Sequence, residues 1–239
     1  MAKLKWDQPG EKLYETGVEK GVLFPVDAKG NYPKGVAWNG LSSVTESPSG
    51  AEATAVYADN KKYLNLVSAE ELGGTIEAYM FPDEFAVCDG SKELAPGVYA
   101  GQQNRKAFGL AYMTLLGNDT LGTDYGYKLH IIYNALASPS EKAYSTVNDS
   151  PEAMTLSWEF NTTPVESGID NVKVLSSITV DSTKFTETTK ANLAELEKAL
   201  FGDAEFDPFL PTPEQIVALL DGSKKAAELA PKDDEQIAG

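Results

Sequence analysis

Arginine is almost absent from this chain, and positive charge is scarce overall. Arg105 is the single arginine among 20 basic residues, and 36 acidic residues bring the formal net charge to −16. Proteins that grip nucleic acids need basic patches, and contacts to phosphates and bases favour the bidentate fork of arginine. The composition therefore argues against tight binding of DNA or RNA. It is still compatible with a protein that contacts nucleic acid without binding it.

Cysteine and histidine are equally scarce. Cys88 is the single cysteine, which excludes an intramolecular disulfide framework and suits folding in a reducing cytosol. We interpret it as a small buried hydrophobe rather than a nucleophile. With 239 residues, the chain is long enough to bury a core without disulfides or metal. Because the usual metal sites need clustered histidine or cysteine, the lone His130 predicts no metal site.

Catalytic signatures are missing as well. His130 falls on the polar face of a predicted strand, and the sequence contains neither a Gly-x-Ser-x-Gly elbow nor a phosphate-binding loop. The acidic pairs Glu70–Glu71 and Asp233–Asp234 are weak acid–base candidates, because adjacent strand residues point apart and terminal acids are usually solvated. The sequence predicts a protein that is not an enzyme and takes no cofactor.

Long apolar runs are absent too. No stretch approaches the length of a membrane span, and residues 1–14 lack the apolar segment of a signal peptide. We therefore expect a soluble protein without a membrane segment, made in the cytoplasm.

Three apolar-alternating segments, residues 106–116, 127–137 and 154–163, stand at the centre of the chain. In the third, Trp158 and Phe160 belong to an apolar face that alternates with polar residues. Because successive side chains of a strand point to opposite faces, a period of two predicts half-buried strands of an antiparallel sheet. We expect the rest of the chain to be attached to this sheet.

The first two segments depart from simple alternation. Residues 106–116 carry large side chains on one face and small ones, including Gly109, on the other, so another surface can approach closely. We expect this strand to be covered on both sides. In the second segment, Ile132 and Leu136 interrupt an apolar face that otherwise extends to Ala135.

Turn residues divide the remaining chain into further predicted strands. These strands span residues 17–26, 36–46, 61–68, 74–81 and 172–180. We expect residues 61–68 to pair with residues 74–81, and residues 81–89 to form a helical turn.

A substantial helix is predicted at residues 189–201, where leucines recur at helical spacing and Gly202 suits the position after the helix end. Residues 203–213 contain three prolines and indicate a linker. We therefore place the domain at residues 1–202. The extension, residues 203–239, has nine acidic residues against three lysines, and we expect it to be dispensable for the fold.

The extension contains one further helix signal. Thr212 and Gln215 match a capping box, with Pro213 at the first helical position, and the apolar spacing continues to Leu220. We predict a short helix from this box to Leu220.

Residues 47–60 form an unusual excursion between two predicted strands. They include proline, glycine and many small residues, with few large apolar anchors apart from Val56 and Tyr57. An excursion of this length inside a compact domain is usually functional or disordered.

Long composite segments of the sequence resemble the major tail (tail tube) proteins of long-tailed bacteriophages that infect Gram-positive hosts. The segments are WNGLSSVTESPSGAEATAVYADNKKYL (38–64), EELGGTIEAYMFPDEFAVCDG (70–90), GQQNRKAFGLAYMTLLGND (101–119) and YGYKLHIIYNALASPSEKAYSTVNDSPEAMTLSWEFNTTPV (125–165). With the helix at residues 189–201 they cover most of residues 1–202, whereas residues 203–239 depart from the family pattern.

The resemblance implies a mainly β fold, a two-sheet antiparallel β-sandwich or barrel with a flanking α-helix, like the inner-tube proteins of type VI secretion. It implies a virion structural protein, made in the cytoplasm of the bacterial host, whose hexameric rings stack into the hollow tail tube that delivers genomic DNA. The implied partners are further copies of the chain, the tape-measure protein inside the tube, and the tail terminator and distal tail proteins at its ends. DNA passes without specific binding.

Two sets of site residues follow from this resemblance. Contacts between rings are expected from the excursion, with Ser47, Pro48, Gly50, Val56, Tyr57 and Asp59 as candidates. Glu77 and Glu159, on polar strand faces, are the candidates for lining a lumen that we expect to be net negative.

A non-catalytic binding module, carbohydrate-binding or adhesin-like, is the alternative interpretation. Such a β-sandwich is also acidic and free of catalytic motifs, but its sites usually expose a row of aromatic side chains. Trp6, Trp38 and Trp158 do not cluster in the sequence, and Trp158 lies on an apolar strand face.

Overall fold

The computed structural model describes residues 3–144, 146, 149 and 153–231. The fold is mainly β, with 46% strand and 13% helix, and its sheets are antiparallel, as the sequence predicts. No helix in these ranges is long and apolar enough to cross a membrane.

The described ranges contain fourteen strands and three helices. The strands are β1 (Leu13–Pro25), β2 (Val36–Ala37), β3 (Leu41–Gly50), β4 (Ala53–Ala58), β5 (Lys61–Val67), β6 (Glu70–Ala78), β7 (Lys92–Ala95), β8 (Val98–Ala100), β9 (Phe108–Asn118), β10 (Gly122–Ala137), β11 (Leu156–Thr162), β12 (Val165–Ile169), β13 (Val172–Leu175) and β14 (Ser177–Asp181). The helices are α1 (Lys190–Phe201), α2 (Pro213–Leu220) and α3 (Ala226–Leu229), with short 3₁₀ turns at Asp83–Phe85 and Ser182–Lys184.

Eight strands form the main sheet, in the order β2-β1-β9-β10-β11-β6-β3, with β14 also paired to β10. The three alternating segments of the sequence correspond to β9, β10 and β11, which are consecutive neighbours at the centre of this sheet. Their predicted central place is confirmed. The hairpins β4–β5, β7–β8 and β12–β13 form separate two-stranded sheets.

A bulge between Ile132 and Ala135 divides the long strand β10. Asn134 has a φ of 49° at this point. Before the bulge, Leu129 faces the core beside the helices, whereas Ala135 and Ala137 after it face the opposite core. The prediction that Ala135 continues the face of Leu129 is wrong, because the extra residue of the bulge turns the chain over.

Two hydrophobic cores lie on opposite faces of the layer formed by β1, β9 and β10. The helix-side core contains side chains of these strands together with α1, α2 and α3. The strand-side core contains side chains of the same layer together with β6 and β11. In β9, Leu110 and Tyr112 belong to the strand-side core and Ala111 and Met113 to the helix-side core. Strand β9 is thus covered on both sides, as predicted.

The strand-side core is enclosed because the main sheet folds back on itself. The ring of Phe85 lies 5.4 Å from that of Phe108 on β9 and 5.2 Å from that of Trp158 on β11, measured between centroids. A Cβ atom at Gly21 of β1 would also lie 2.7 Å from Leu41 of β3, so strands that are far apart in the order of the sheet approach each other. The sequence predicted a sandwich of two sheets, whereas the structure contains one folded main sheet. Strand β10 connects its two parts, because it pairs with β14 and most of β9 on one side of its bulge and with β11 on the other.

Both predicted C-terminal helices are confirmed. Helix α1 ends at Phe201, and Gly202 follows with a φ of 77°, a left-handed conformation that glycine adopts without strain. At the start of α2, the Thr212 side chain accepts from the backbone N–H of Gln215, while the Gln215 side chain accepts from the backbone N–H of Thr212. The capping box read from the sequence is therefore formed.

We placed the domain boundary at Gly202, but the helix-side core continues into the chain beyond it. Phe209, Leu210, Ile216 and Leu219 are all buried in the helix-side core. The negative charge of the extension does not prevent this burial, because the acidic side chains of its described part, residues 203–231, are exposed to solvent. The described part of the extension belongs to the same folded unit as the preceding chain.

Some element boundaries also differ from the predictions. Strand β1 begins at Leu13, earlier than predicted, because it pairs with β9 out to Asn118. The segment predicted as one strand at residues 36–46 is divided into β2 and β3 by a turn that contains Trp38. Likewise, the strand predicted at residues 172–180 is divided into β13 and β14.

The single arginine stabilises the fold around a buried carboxylate. The side chain of Asp89 is only 6% exposed and lies 3.5 Å from the guanidinium of Arg105, and Lys142 forms a second ion pair with it. Arg105 also donates hydrogen bonds to the backbone carbonyls of Ala137 and Ser138. This cluster fastens the loop before β9 to the end of β10.

We expect Arg105→Ala to lower the free energy of unfolding by about 3 kcal/mol, because it leaves a buried charge short of a partner. Arg105→Lys should recover part of the loss, since it keeps the charge but not the forked geometry. Urea denaturation of the two variants and the wild type measures both effects. A change within about 0.5 kcal/mol for Arg105→Ala, the range of ordinary surface substitutions, would contradict this role.

Candidate functional site

A hairpin arm, residues 51–69, extends from the main sheet. Strands β3 and β6 pair as far as Gly50 and Glu70, and β4 and β5 then form a second ladder that starts with Ala53 opposite Val67. Between the ladders, Gly50 and Ala51 have φ values of 82° and 55°. The arm is therefore a continuation of the β3–β6 hairpin beyond a local break.

The tip of the arm is a tight two-residue turn. Asp59 and Asn60 connect β4 to β5, with φ values of 50° and 61°. Positive φ at both central residues is the signature of a type I′ turn, whose twist suits antiparallel strands. This turn fixes the pairing of Ala58 with Lys61 and so the register of the arm.

The arm exposes apolar side chains instead of burying them. All residues of β5 are exposed. The exposed fractions of Tyr57, Tyr63, Leu66 and Val67 are 70%, 72%, 61% and 62%. An isolated two-stranded hairpin is at best marginally stable in water, and an apolar strand edge invites pairing with another chain. The arm therefore has the features of a docking element.

All six candidates for contacts between rings lie on or beside this arm. Ser47, Pro48 and Gly50 lie at the end of β3, where the arm begins. Val56 and Tyr57 lie on β4, and Asp59 lies in the tip turn. The structure thus places them along one continuous extension, although sequence reasoning treated residues 47–60 as a loop.

The returning strand of the arm was predicted at residues 61–68, but it was assigned the wrong partner. Residues 61–68 were predicted to pair with residues 74–81, whereas β5 pairs with β4 and β6 pairs with β3 and β11. The predicted pairing is wrong because the Asp59–Asn60 turn reverses the chain first. That dipeptide was the available signal for a hairpin.

A second candidate surface is the outer, polar face of β3, β6 and β11. Glu77 lies between Ser43 on β3 and Ser157 on β11, and the Ser43 hydroxyl donates to its carboxylate at 2.8 Å. Glu159 lies opposite Thr75 in the next row. Residues directly opposite each other in a ladder share a face, so Glu77 and Glu159 belong to one surface.

This polar face contains no lysine or arginine at its paired positions. The paired residues are Ser43, Thr45, Ser47 and Ser49 on β3, Glu71, Gly73, Thr75 and Glu77 on β6, and Ser157, Glu159 and Asn161 on β11. Hydroxyl, amide and carboxylate groups thus cover an area that spans three strands. These paired positions, all within the described residues, therefore provide no cation with which to hold a phosphate.

His130 takes part in a polar network between strands. Its ring stacks on Tyr112 with a centroid distance of 4.7 Å, and its Nε2 lies 2.9 Å from the hydroxyl of Thr114 and 3.3 Å from Glu15. The hydroxyl of Tyr112 donates to Glu46 on β3 at 2.7 Å. The network connects β3, below the arm, to β1, β9 and β10, which gives the histidine a packing role.

The other catalytic candidates do not form a site. Cys88 is fully buried, and this burial raises the pKa of its thiol to about 12. Glu70 and Glu71 are successive residues of β6 that pair with Gly50 and Ser49, so they point to opposite faces. Asp233 and Asp234 lie outside the described residues. In the described ranges, no group of three or more His, Cys, Asp or Glu could hold a metal ion.

A cleft of about 700 Å³ lies between the loop at residues 27–34 and the C-terminal extension. Tyr32 and Tyr133 line it, but both hydroxyls are occupied. The Tyr133 hydroxyl donates to the backbone carbonyl of Pro211, and the Tyr32 hydroxyl accepts from the backbone N–H of Asn134. The cleft is therefore best described as the seam along which the extension packs.

Comparison with known families finds no model that matches the chain, and comparison with curated proteins finds no significant match. The two surfaces described above therefore have to be interpreted from their own geometry.

Proposed function

We propose that this chain is a tail tube subunit, which forms hexameric rings that stack into a hollow tube for the delivery of phage DNA. The observation that carries the proposal is the arm at residues 51–69, which exposes apolar side chains on a hairpin with no core of its own. The resemblance of the sequence to major tail proteins supplies the family, the ring number and the fold that we propose.

The arm supports the proposal because it suits contact with a second copy of the chain. The ladder from Ala53 to Ala58 spans about 20 Å at about 3.3 Å per residue. An extension of this reach, placed on every subunit, makes head-to-tail contacts that repeat from copy to copy. In the proposed tube, the arm of each subunit reaches the adjacent ring.

The polar face of β3, β6 and β11 supplies the proposed wall of the lumen. Glu77 and Glu159 contribute negative charge, and the neighbouring side chains are mostly hydroxyls. Every phosphate–cation contact adds salt-dependent affinity, and many of them along a tube would slow the passage of DNA. Carboxylates instead keep the DNA behind a layer of counterions, with repulsion screened beyond about 8–10 Å at physiological salt.

We expect Glu77→Lys/Glu159→Lys to slow the delivery of DNA without preventing assembly. The paired substitution puts two cations per subunit on the proposed wall, so phosphate contacts should accumulate along the tube. The measurement is the rate of DNA release from particles assembled with each variant, at low and high salt. Asp124→Lys/Glu228→Lys, which makes the same change in net charge at two exposed positions outside the proposed wall, is the matched control.

Two results would contradict the lumen assignment. One is release at the wild-type rate from particles that carry both lysines. The other is equal slowing by Asp124→Lys/Glu228→Lys, since the effect would then follow from total charge and not from the wall.

The alternative interpretation as a carbohydrate-binding module gains no support from the tryptophans. Trp38 and Trp158 are buried and contact each other with centroids 5.9 Å apart, while Trp6 alone is exposed. These three side chains therefore form no platform on which a sugar could stack.

Self-assembly is the direct consequence of the proposed function. Analytical ultracentrifugation of the purified chain should show hexamers and larger stacks whose share rises with protein concentration. A protein that sediments as a monomer at all concentrations would contradict the proposal.

A further inference from the structure

The tip of the arm is the one positively charged point in a long acidic region. Lys61 and Lys62 are the only basic residues between residues 35 and 91, which contain nine acidic residues. Both lysines are exposed, and within the described ranges neither forms an ion pair. Tyr57 and Tyr63 lie beside them with most of their surface exposed. The tip thus combines two unpaired ammonium groups with two aromatic rings.

A surface with the opposite charge lies on one face of the separate hairpin β7–β8, whose lysine, Lys92, directly precedes Glu93 in the strand and so points to the other face. Its exposed apolar side chains are Leu94, Val98 and Tyr99, with 67%, 52% and 49% of their surface exposed. Glu93 is directly opposite Tyr99 in the ladder, and Asp83 lies nearby in the 3₁₀ turn. Their negative charge, with Glu93 the larger cause, raises the pKa of the exposed Tyr99 phenol. We call these five residues the acidic hairpin surface.

The acidic hairpin surface has charges without cationic partners, like the tip. Neither Asp83 nor Glu93 forms an ion pair within the described ranges. Glu93 accepts a hydrogen bond only from the backbone N–H of Gly97 in its own turn. Within the described ranges, the two-stranded sheet β7–β8 also contributes no side chain to either core.

We propose that the arm tip of one copy docks on the acidic hairpin surface of another copy. This inference rests on the proposed function and names the receiving surface for the arm. The occupant follows from charge complementarity: Lys62 and Tyr57, which are opposite each other in the ladder and share one face of the arm, meet Glu93 and Tyr99, which share one face of β7–β8, and Lys61 adds to the positive charge of the tip. A second copy fits best, because both halves occur on the same chain and a contact between different patches repeats head to tail.

Charge reversal tests the pairing. Lys61→Glu/Lys62→Glu and Asp83→Lys/Glu93→Lys should each raise the protein concentration needed for assembly by about tenfold or more, since like charges then face each other. The quadruple variant restores opposite charges across the contact and the wild-type net charge. It should assemble at about the wild-type concentration. Thermal melting of each variant checks that the protomer is folded, and Glu93→Gln controls for the hydrogen bond to Gly97.

A matched pair of substitutions separates a local effect from total charge. Asp124→Lys/Glu228→Lys changes the net charge as much as Asp83→Lys/Glu93→Lys does, at exposed positions outside both surfaces. It should leave assembly unchanged. The same loss from this pair would overturn the inference, because total charge would explain it.

The remaining outcomes separate this inference from the proposed function. Suppose that the wild-type chain forms tubes. If the charge-reversal variants then assemble normally, or if the quadruple variant does not recover assembly, the docking inference is overturned and the proposed tube function is not. A wild-type chain that never assembles contradicts the proposed function and the inference together.

Discussion

A chain truncated after Gly202 is expected not to fold stably. The truncation removes Phe209, Leu210, Ile216 and Leu219 from the helix-side core. Burial of one large apolar side chain contributes about 1.5–3 kcal/mol, so these four contribute roughly 6–12 kcal/mol. A natural domain has a total stability of only about 5–15 kcal/mol. The loss is therefore comparable to the whole stability of the protein.

The truncation also exposes groups that the extension covers. A Cβ atom at Gly109 of β9 would lie 2.4 Å from Leu210, which shows how closely the extension packs on the sheet. The extension also binds the rest of the fold through its backbone. Phe209 donates to the carbonyl of Ala199 at 2.7 Å and Leu210 to that of Tyr32 at 3.2 Å. Without the extension, these carbonyls and the apolar face beneath them meet water.

Circular dichroism and thermal melting of the purified proteins measure the effect of truncation. A truncation after Pro231 is the matched control, since it keeps all of the buried residues named above. It should melt like the wild type, whereas the truncation after Gly202 should be insoluble or show no cooperative transition. If the shorter chain melts within a few degrees of the wild type, the extension does not complete the core.

Replacement of the arm is expected to give the opposite result, a folded protein that does not assemble. The replacement joins Gly50 to Glu70 through an Asn-Gly turn in place of residues 51–69. These two residues are already paired across the ladder, and Asn-Gly suits a two-residue hairpin turn. Because the arm contributes no residue to either core, the melting temperature should stay close to that of the wild type.

Assembly is where this variant should fail. Without the arm, the proposed apolar contact between rings cannot form, so we expect the protein to sediment as protomers or single rings. A second variant, Tyr63→Ser/Leu66→Ser, keeps the length of the arm and removes part of its apolar surface, and it should assemble less well. Normal tubes from the replacement variant would show that the arm does not connect rings. An unfolded variant would show that the arm belongs to the fold.

The parts of the fold that were predicted correctly depend on local sequence patterns. The alternation around Trp158 and the capping box at Thr212 each report on neighbours only a few residues away. Such signals predict an element and its buried face without knowledge of its partners. The mainly β class and the helices α1 and α2 were therefore predicted.

The parts that were missed depend on contacts that are distant in sequence. Strand β5 has a pattern that suits several partners, and its register is set by the turn at Asp59 and Asn60. Similarly, Leu210 is buried over Gly109, and the strand pattern alone does not show which segment of the chain covers that glycine. The negative net charge of the extension was misleading, because the net charge of a segment does not determine which of its individual side chains are buried.

For the candidate surfaces, the sequence was enough to name some of the residues but not to predict how they are arranged in space. Glu77 and Glu159 were named separately, and the pairing of β6 with β11 brings them onto one face. The exposed apolar side chains of β5 were not named, because a strand of this composition was expected to be half buried. The assembly into rings, the lumen and the partners inside and at the ends of the tube stay predictions.

Cryo-electron microscopy of the purified full-length chain tests the central claim most directly. We predict stacked rings that form a hollow tube, with the arm at residues 51–69 crossing from one ring to the next and with Glu77 and Glu159 facing the lumen. Particles that remain monomers at every concentration and salt condition would contradict the claim that this chain is a tube subunit.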